Sequence, residues 1–500
     1  MLPQARPSVK TARREAFDLW QARAVPADAA APADEPDATE RRGPLFILLG
    51  PALALAAYAL AGGGAQGTAA GLFVLAGTWW ISEALHPAQT ALVVIALAPV
   101  VGACSPKQAF ASLGNPILFL FVGGFMIAEA MRLHGLGERL ARTLAHRIDS
   151  ELGAIVATSS AAFLMSMWIS NAAATAIALP IVIAIGRARG AGFRAASVLA
   201  VAWAASMGGL CTPVGTPPNL IAVRALAERG VDLSFVGFFV VGTPIAVCMY
   251  VAMIVVLAVR FRISRAGASL GKDVSERGPW SRGEVAAAAA FGVAVVGWIV
   301  PGMLALLEVP GAAVVRARFP EEVVAILAAG LLFVWPVHAP GEPRRRALAW
   351  RDAARIDWGT VILFGAGILL GELANESGLS RRLGDGLMGI FGAGSVVVVV
   401  LIVVVAAVIL SELASNTAAA TLIVPIGLGL ADATGTSPIM ITMGAALGAS
   451  FGFMMPISTA PNAMAYGTGQ VSMRQMMQSG AVFDLIGIVV VTVGVVVLCG

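Results

Sequence analysis

Long uncharged apolar stretches recur along this chain, and many of them run for about 18 residues or more, enough to cross a bilayer. Hydrophobic residues make up 58% of the 500 residues and charged residues only 12%, a balance that a soluble domain does not require. Backbone groups inside lipid must pair within their own segment, and the alternating pattern of a membrane barrel is absent. The chain is therefore predicted to be an all-α polytopic membrane protein.

Two of the apolar stretches are interrupted by nearly the same polar motif. Ser170–Ala174 reads SNAAA, and Ser415–Ala419 reads SNTAA. Each is followed by a second polar break, TPVGTPPN over Thr212–Asn219 and MPISTAPN over Met455–Asn462. Interrupted spans at corresponding places in two halves are typical of secondary transporters built from internal repeats, and they point to the binding site.

The apolar segments predict eleven transmembrane helices plus two re-entrant hairpins. The hairpins are expected at 152–187 and 393–430, because each segment is too long for one span and is broken near its Ser-Asn motif. The eleven spans are expected at 44–62, 68–84, 88–103, 115–133, 195–228, 234–260, 283–303, 322–338, 357–375, 438–466 and 480–499.

The distribution of basic residues predicts the topology of these spans. Residues 1–43 are polar and lack an apolar signal segment, so we expect a disordered cytosolic tail. With this tail inside the cell, 26 of the 33 Lys and Arg fall on the cytosolic side and 7 on the other, as the positive-inside rule requires. Residues 44–260 and 261–500 are then inverted repeats of a multi-pass plasma (inner) membrane protein with a cytoplasmic N-terminus.

The residues at the breaks carry oxygen atoms but no charge, a donor set that suits a hard cation such as sodium. Each half has two serines four residues apart, on one helix face, with an asparagine after the second. Unwound backbone near Gly215 and Ser458 is expected to add carbonyl oxygens. The side chains of this pattern are Ser166, Ser170 and Asn171 in the first half, and Ser411, Ser415 and Asn416 in the second.

The same breaks start new helices, whose free N–H groups and positive dipole ends attract anions. Such a site holds an anion without a buried Arg or Lys, which is costly at the midplane. Small polar residues also occur simply as packing residues between membrane helices, but two inverted copies favour a binding site. The candidate side-chain donors to the anion are Asn171, Thr216, Asn416, Thr417 and Thr459.

Other function classes have weaker support in the sequence. Gly448–Gly452 matches the GxSxG pattern of a hydrolase nucleophile, but it lies in a membrane helix and not on a strand-to-helix turn, so we expect no enzyme. An ion channel would need a continuous pore. Glu412 in the second hairpin is either a proton relay or a structural hydrogen-bond acceptor, and we favour the structural role. Asp484 is expected at the interface, and nothing indicates nucleic-acid binding.

These motifs resemble those of the divalent anion:sodium symporter family, the dicarboxylate, citrate and sulfate carriers. The resemblance covers most of the chain from about residue 44 onward. It rests on SMWISN at Ser166–Asn171, GTPPN at Gly215–Asn219, SELASNT at Ser411–Thr417 and TAPN at Thr459–Asn462. The resemblance implies an elevator-type homodimer in the lipid bilayer, with sodium ions as the coupling ions. Spans one to four and seven to nine would be its scaffold, and both hairpins would move with the other spans.

The resemblance also implies roles for individual residues. One sodium site would comprise Ser166, Ser170, Asn171 and the Gly215 carbonyl. The other would comprise Ser411, Ser415, Asn416 and the backbone of Ser458 and Ala460. The anion would lie among Asn171, Ala172, Thr216, Pro217, Asn416, Thr417, Thr459 and Ala460.

Two positions depart from the family pattern. Ala172 stands where the first motif has Thr, so one hydroxyl is missing from the expected anion site. Ala460 stands where the family often has Pro, which leaves that loop less stiff. The function expected from the sequence is sodium-coupled transport of small divalent anions, foremost C4-dicarboxylates. The alternative is a dicarboxylate or sulfate exchanger of the same fold that sodium does not drive.

Overall fold

The structure is a computed structural model. It describes residues 38–145, 150–186, 189–263, 278–337, 345–391, 395–456 and 458–500. Residues 1–37, which make up most of the predicted tail, lie outside the described residues, and the first helix begins at Ala38.

The first half of the chain folds into eleven helices and one turn of 3₁₀-helix at Ser112–Gly114 among the described residues. The helices are α1 Ala38–Leu60, α2 Gly64–Ser82, α3 Pro87–Val100, α4 Pro106–Ala111, α5 Pro116–Leu133, α6 Leu136–Ala145, α7 Glu151–Ser166, α8 Asn171–Gly186, α9 Ala191–Gly209, α10 Pro217–Ala227 and α11 Phe235–Arg260.

The second half is also helical, apart from a short antiparallel pair of strands, β1 Pro336–Val337 and β2 Arg345–Arg346. Its helices are α12 Arg282–Leu306, α13 Ala312–Arg318, α14 Glu321–Val334, α15 Trp350–Ala353, α16 Trp358–Glu376, α17 Leu379–Phe391, α18 Val396–Leu413, α19 Asn416–Thr434, α20 Pro438–Ala449, α21 Ala460–Gly467 and α22 Met473–Cys499.

Capping residues fix where many of these helices begin. The Ser150 hydroxyl accepts a hydrogen bond from the Gly153 N–H at the start of α7. Ser281 and Glu284 form a reciprocal capping box at the start of α12. Such side chains pair N–H groups that the first turn of a helix leaves free, which matters most where no water is available.

Both long apolar segments break at their Ser-Asn motifs, as the sequence predicts. In the first, α7 ends at Ser166 and α8 begins at Asn171; in the second, α18 ends at Leu413 and α19 begins at Asn416. The two helices of each segment pack against each other. Among the described residues, eight helices are long and apolar enough to span a membrane. The count of eleven spans plus two re-entrant hairpins, the inverted topology and the elevator motion stay predictions.

Two amphipathic helices were not expected from the sequence. Helices α6 and α17 each lie directly before a broken segment, in stretches that the hydropathy pattern assigns to loops. Their signal is a spacing of four between Leu136 and Leu140 and between Leu379 and Leu383, which places the leucines on one face of a short helix. Charged residues between the leucines lower the mean hydropathy and conceal the helices from a search for spans.

The short helices after the second breaks connect the two halves. Helix α10 belongs to the first half but packs on α19 and α20 of the second. Helix α21 belongs to the second half but packs on α8 and α9 of the first. Each half therefore packs its short helix against the broken segment of the other half.

Candidate functional site

The first Ser-Asn motif forms a compact group of neutral oxygens. The fully buried Ser166 hydroxyl donates to Asn171 Oδ1 at 2.7 Å. A Cβ atom added to Gly209 would lie 2.6 Å from Asn171 Oδ1 and 3.2 Å from the Gly215 carbonyl oxygen. The serine, the asparagine and the Gly215 carbonyl thus gather beside Gly209, where the absence of a side chain leaves room for them.

The second motif repeats this geometry. The buried Ser411 hydroxyl lies 2.8 Å from Asn416 Oδ1 and 2.7 Å from the Ala449 carbonyl oxygen, and its one proton is shared between these two acceptors. A Cβ atom added to Gly452 would lie 3.0 Å from Ser458 Cβ and 3.3 Å from the Ser411 carbonyl oxygen. Gly452 therefore has the same place in the second group as Gly209 has in the first.

Two buried asparagines hold the unwound loops, and the candidate site residues chosen from the sequence did not include them. Asn219 Nδ2 donates to the carbonyls of Gly209 at 2.9 Å and Thr212 at 2.8 Å. Asn462 Nδ2 donates to the carbonyls of Gly452 at 2.7 Å and Met455 at 3.0 Å. In the sequence, each is the last residue of a polar break and of a motif that carries the family resemblance.

The donor set suits a small hard cation. The amide oxygens of Asn219 and Asn462 are buried and have no hydrogen-bond partner among the described residues, so each loop retains an unused acceptor. Hydroxyl, amide and carbonyl oxygens of this kind are what sodium prefers. Groups of three or more His, Cys, Asp or Glu that would hold a metal are absent from the described part of the chain.

Ser170 and Ser415 have a second use as helix caps. The Ser170 hydroxyl accepts from the Ala173 N–H, and the Ser415 hydroxyl accepts from the Ala418 N–H, both at 3.3 Å. Each oxygen keeps a further lone pair that a cation could use. Ser170 is exposed and Ser415 is half-buried. Both are therefore more accessible than Ser166 and Ser411, which are buried.

Glu412 has a structural role in the second loop. Its carboxylate accepts hydrogen bonds from the Met454 N–H at 2.8 Å and from the Ser458 hydroxyl at 2.7 Å. These bonds tie the end of α18 to the loop that carries the candidate carbonyls of Ser458 and Ala460. The geometry agrees with the structural role favoured for Glu412.

Asp484 is not at the interface, so that expectation is wrong. Helix α22 begins at Met473, earlier than the span expected from residue 480, and Asp484 lies about three turns inside it. The residue is 4% exposed and has Glu412 as its charged neighbour. The Glu412 side chain and the Phe453 backbone are the hydrogen-bonding groups closest to its carboxyl, and neither carboxyl oxygen makes a well-aligned bond among the described residues.

The candidate anion residues lie at the starts of four helices. Asn171 and Ala172 begin α8, Asn416 and Thr417 begin α19, and these positions are buried or half-buried. Thr216 precedes α10, is 2% exposed, and makes no side-chain capping bond, whereas its counterpart Thr459 caps α21 by accepting from the Asn462 N–H at 3.2 Å. Pro217 is half-buried and Ala460 is exposed. The free N–H groups and the positive dipole end at the start of each of these helices favour an anion.

A family model supplies independent information about the chain. The model described as "Sodium:sulfate symporter transmembrane region" matches residues 64–498. The match includes all four motifs and both asparagines that hold the loops.

Individual proteins resemble the chain as well. It is 35% identical over 451 residues to the "Sodium-dependent dicarboxylate transporter SdcS" of Staphylococcus aureus strain USA300, with 84% of each chain covered. The protein of that name from strain N315 gives the same identity and coverage. Among solved structures, the Alcanivorax borkumensis YdaH transporter matches with a TM-score of 0.51 and 14% identity, over 83% of this chain and 98% of that one. That similarity concerns the fold alone.

Proposed function

The chain belongs to the divalent anion:sodium symporter family, and from this premise we propose that it carries small divalent anions across a membrane, driven by sodium ions. C4-dicarboxylates are the proposed substrates, in keeping with the name of the Staphylococcus aureus relatives. The observation that carries the proposal is the mirrored pair of neutral oxygen groups, centred on Ser166–Asn171 and Ser411–Asn416, beside four helix N-termini.

The oxygen groups hold the cations, and the helix starts beside them hold the anion. Ser166, Asn171 and the Gly215 carbonyl hold one sodium ion, and Ser411, Asn416 and the loop at Ser458 hold the other. Two sodium ions offset the charge of one dianion, so the loaded site has little net charge to bury in the lipid. The anion then binds between the starts of α8, α10, α19 and α21.

The order of binding follows from the loops. The loops at Gly215 and Ser458 belong to the proposed sodium sites, so a bound sodium ion would organise the same loops that lead into the helix starts proposed to hold the anion. Sodium therefore binds first and raises the affinity for the dicarboxylate, and by linkage the dicarboxylate raises the affinity for sodium.

The proposed architecture is an inverted-repeat elevator. Residues 44–260 and 261–500 form the two repeats, the Ser-Asn motifs lie at the tips of re-entrant hairpins, and two copies of the chain form a homodimer. The N-terminus lies in the cytosol of a cell whose plasma membrane holds the protein. This arrangement is supported by the basic-residue distribution and by the exchange of α10 and α21 between the halves.

Uptake into proteoliposomes tests the proposal. Succinate and sulfate uptake is measured with an inward sodium gradient, with equal potassium, and with dicarboxylate loaded inside. We expect succinate uptake that requires the sodium gradient. Uptake that ignores sodium but depends on internal dicarboxylate would instead establish the exchanger.

Variants of the two asparagines link that activity to the site. Asn171→Ala and Asn416→Ala should each abolish uptake while the protein still inserts and purifies as the wild type does. Asn115→Ser is the control, because Asn115 caps α5, is not one of the candidate site residues, and can be replaced by serine without losing the cap. Normal uptake by either alanine variant contradicts the site.

A further inference from the structure

The first Ser-Asn motif carries a tryptophan that the oxygen group does not use. Trp168 lies in the turn between the end of α7 at Ser166 and the start of α8 at Asn171. The N–H groups of Trp168 and Ile169 both donate to the Met165 carbonyl at 3.0 Å, so the backbone of this turn is closely wound. The Trp168 side chain is half-buried, and it packs against helices outside the hairpin.

Three aromatic side chains of α11 and α12 contact the Trp168 ring. Phe235 lies parallel to it, with ring centroids 6.0 Å apart and planes at 13°. Trp298 is also parallel, at 6.2 Å and 7°, and Phe291 meets the ring edge-on, at 5.2 Å and 79°. These separations lie in the range in which aromatic pairs attract one another. We call Phe235, Phe291 and Trp298 the aromatic slot.

The aromatic slot is fixed by contacts of its own. Phe291 and Trp298 are seven residues apart, about two turns, so they lie on one face of α12. Trp298 Nε1 donates to the Glu321 carbonyl at 2.9 Å, and the Phe235 N–H donates to the Glu321 carboxylate at 3.4 Å. Phe235 and Trp298 are only 2% and 3% exposed. Because the slot is more deeply buried than Trp168, it determines where the Trp168 ring lies.

The second Ser-Asn motif cannot form this contact. Leu413 takes the place of Trp168 in the second motif. A leucine has no ring to stack, and this one is 56% exposed. The second turn is tied to its own loop through Glu412. The first turn thus has an aromatic attachment to α11 and α12 that the second turn lacks.

We propose that Trp168 is a positioning residue for the first sodium site, and this inference rests on the proposed function. The sodium ligands Ser166 and Asn171 lie on either side of Trp168 in the turn, and the Ser166 hydroxyl reaches Asn171 Oδ1 at 2.7 Å. A ring seated in the aromatic slot fixes the turn, and therefore the spacing of these two oxygens. By linkage, sodium bound at the first group stabilises the seated ring.

The contact also joins two parts of the proposed elevator. Trp168 belongs to the first hairpin, which moves, and Phe235 begins α11, which moves with it. Phe291 and Trp298 lie on α12, which is span seven of the proposed scaffold. The first oxygen group is therefore held in its sodium-binding shape while the hairpin tip contacts α12, and it loosens when the ring leaves the slot.

A sodium titration of the purified protein without substrate tests this role. The melting temperature is followed as sodium replaces choline at constant ionic strength. Each aromatic contact corresponds to about a two- to tenfold change in an equilibrium constant. Trp168→Leu, which introduces the residue type of the second motif, should therefore raise the sodium concentration for half of the shift about tenfold. Trp168→Phe keeps a ring and should recover most of the sodium affinity.

Hydrogen–deuterium exchange without sodium tests the turn itself. The N–H groups of residues 168 and 169, which are bonded to the Met165 carbonyl, should exchange faster in Trp168→Leu, because the turn opens more often. The peptide that carries Ser411–Asn416 should keep its wild-type exchange. Trp298→Leu should also speed exchange in the first turn. The double variant should loosen the turn no further than the more severe single variant, since both act through one contact.

Trp350→Leu is the matched control for the loss of a tryptophan ring. Trp350 is 68% exposed at the start of α15, and its ring contacts Phe333 at 6.4 Å. This variant also loses an aromatic contact, but away from the aromatic slot. The exchange of the first turn and the sodium dependence should both be those of the wild type.

The measurements separate the positioning role from the proposed function. Unchanged exchange at residues 168 and 169 in Trp168→Leu overturns the positioning role, whether or not the protein transports. A lower melting temperature with an unchanged sodium dependence overturns it too, because a merely structural contact would do that. If Trp168→Leu does not fold, wild-type exchange and sodium dependence in Trp298→Leu overturn the role in the same way.

Failure of the proposed function gives a different result. Faster exchange and weaker sodium binding in the variants, without sodium-driven uptake by the wild type, would support the positioning role and contradict the proposed transport. A wild-type melting temperature that ignores sodium would overturn the sodium site itself.

Discussion

The Ser458 hydroxyl donates a hydrogen bond to the Glu412 carboxylate at 2.7 Å, and this contact has no counterpart in the first half of the chain. The corresponding positions there are Met167 and Gly215, and the loop is held instead by the Thr212 hydroxyl on the Met167 carbonyl at 2.5 Å. One loop is thus anchored by a charged group and the other by a neutral one. The two oxygen groups are similar in shape but differ in the chemistry of the groups that hold their loops.

Ser458→Ala should weaken sodium binding at the second group. A hydrogen bond to a charged group is worth about 1.5–3 kcal/mol. If losing this bond destabilises the sodium-bound form of the loop by that amount, the sodium concentration for half-maximal uptake should rise about tenfold or more. Glu412→Ala removes both bonds to the loop and should have the larger effect. The measurement is the sodium dependence of succinate uptake.

Ser450→Ala is the control for that variant. Ser450 donates only to the Ala446 carbonyl of its own helix, and its side chain contributes no hydroxyl to the second group. The sodium dependence and the rate should be those of the wild type. Since Ser450 is the serine of the GxSxG pattern, unchanged uptake also argues against a hydrolase. An unchanged sodium dependence in Ser458→Ala would show that the loop does not need its charged anchor.

Ala172→Thr should change how the anion is bound. Ala172 corresponds to Thr417 in the second half and is half-buried at the start of α8. A hydroxyl there adds one neutral hydrogen bond, worth about 0.5–1.5 kcal/mol, so the affinity for succinate should rise several-fold or its preference over sulfate should shift. Thr417→Ala is the matched reverse change and should weaken binding. Unaltered affinities for succinate, citrate and sulfate in Ala172→Thr would mean that residue 172 does not face the anion.

The sequence predicted those parts of the site that local chemistry determines. The breaks at Ser166–Asn171 and Leu413–Asn416 follow from polar residues within apolar runs, and in the structure Ser166 and Ser411 each donate to the asparagine of their own motif. The partners of Asn219 could not be predicted from the sequence. Its side chain donates to the Gly209 and Thr212 carbonyls, and these come within reach only through the three-dimensional course of the loop between α9 and α10. The burial of Asp484 depends on where α22 begins and on its packing against α18, which hydropathy alone does not determine.

Asn219→Asp should destabilise the first loop without changing its size. The aspartate cannot donate to the Gly209 and Thr212 carbonyls, so two hydrogen bonds are lost and a negative charge faces two acceptors; the cost is about 2 kcal/mol or more. We expect a lower melting temperature and a smaller rise on adding sodium. Asn115→Asp is the matched control, because Asn115 uses only its acceptor oxygen toward the Ile117 N–H and aspartate preserves that bond. Equal melting temperatures for the two variants would contradict the anchoring role of Asn219.

Gly208→Ala should prevent correct packing of the first hairpin. A Cβ atom at Gly208 would collide with the Phe163 carbonyl oxygen of α7, which is backbone and cannot rotate away, so α7 and α9 would have to separate and Ser166 would shift from Gly209. Gly330→Ala, in the middle of α14, meets no atom within 4 Å, and it should gain up to about 1 kcal/mol from helix propensity. Melting temperatures in detergent should therefore move in opposite directions, with sodium-driven uptake lost in Gly208→Ala and kept in Gly330→Ala. Wild-type stability and uptake in Gly208→Ala would show that the close approach of α7 to α9 does not position the first oxygen group.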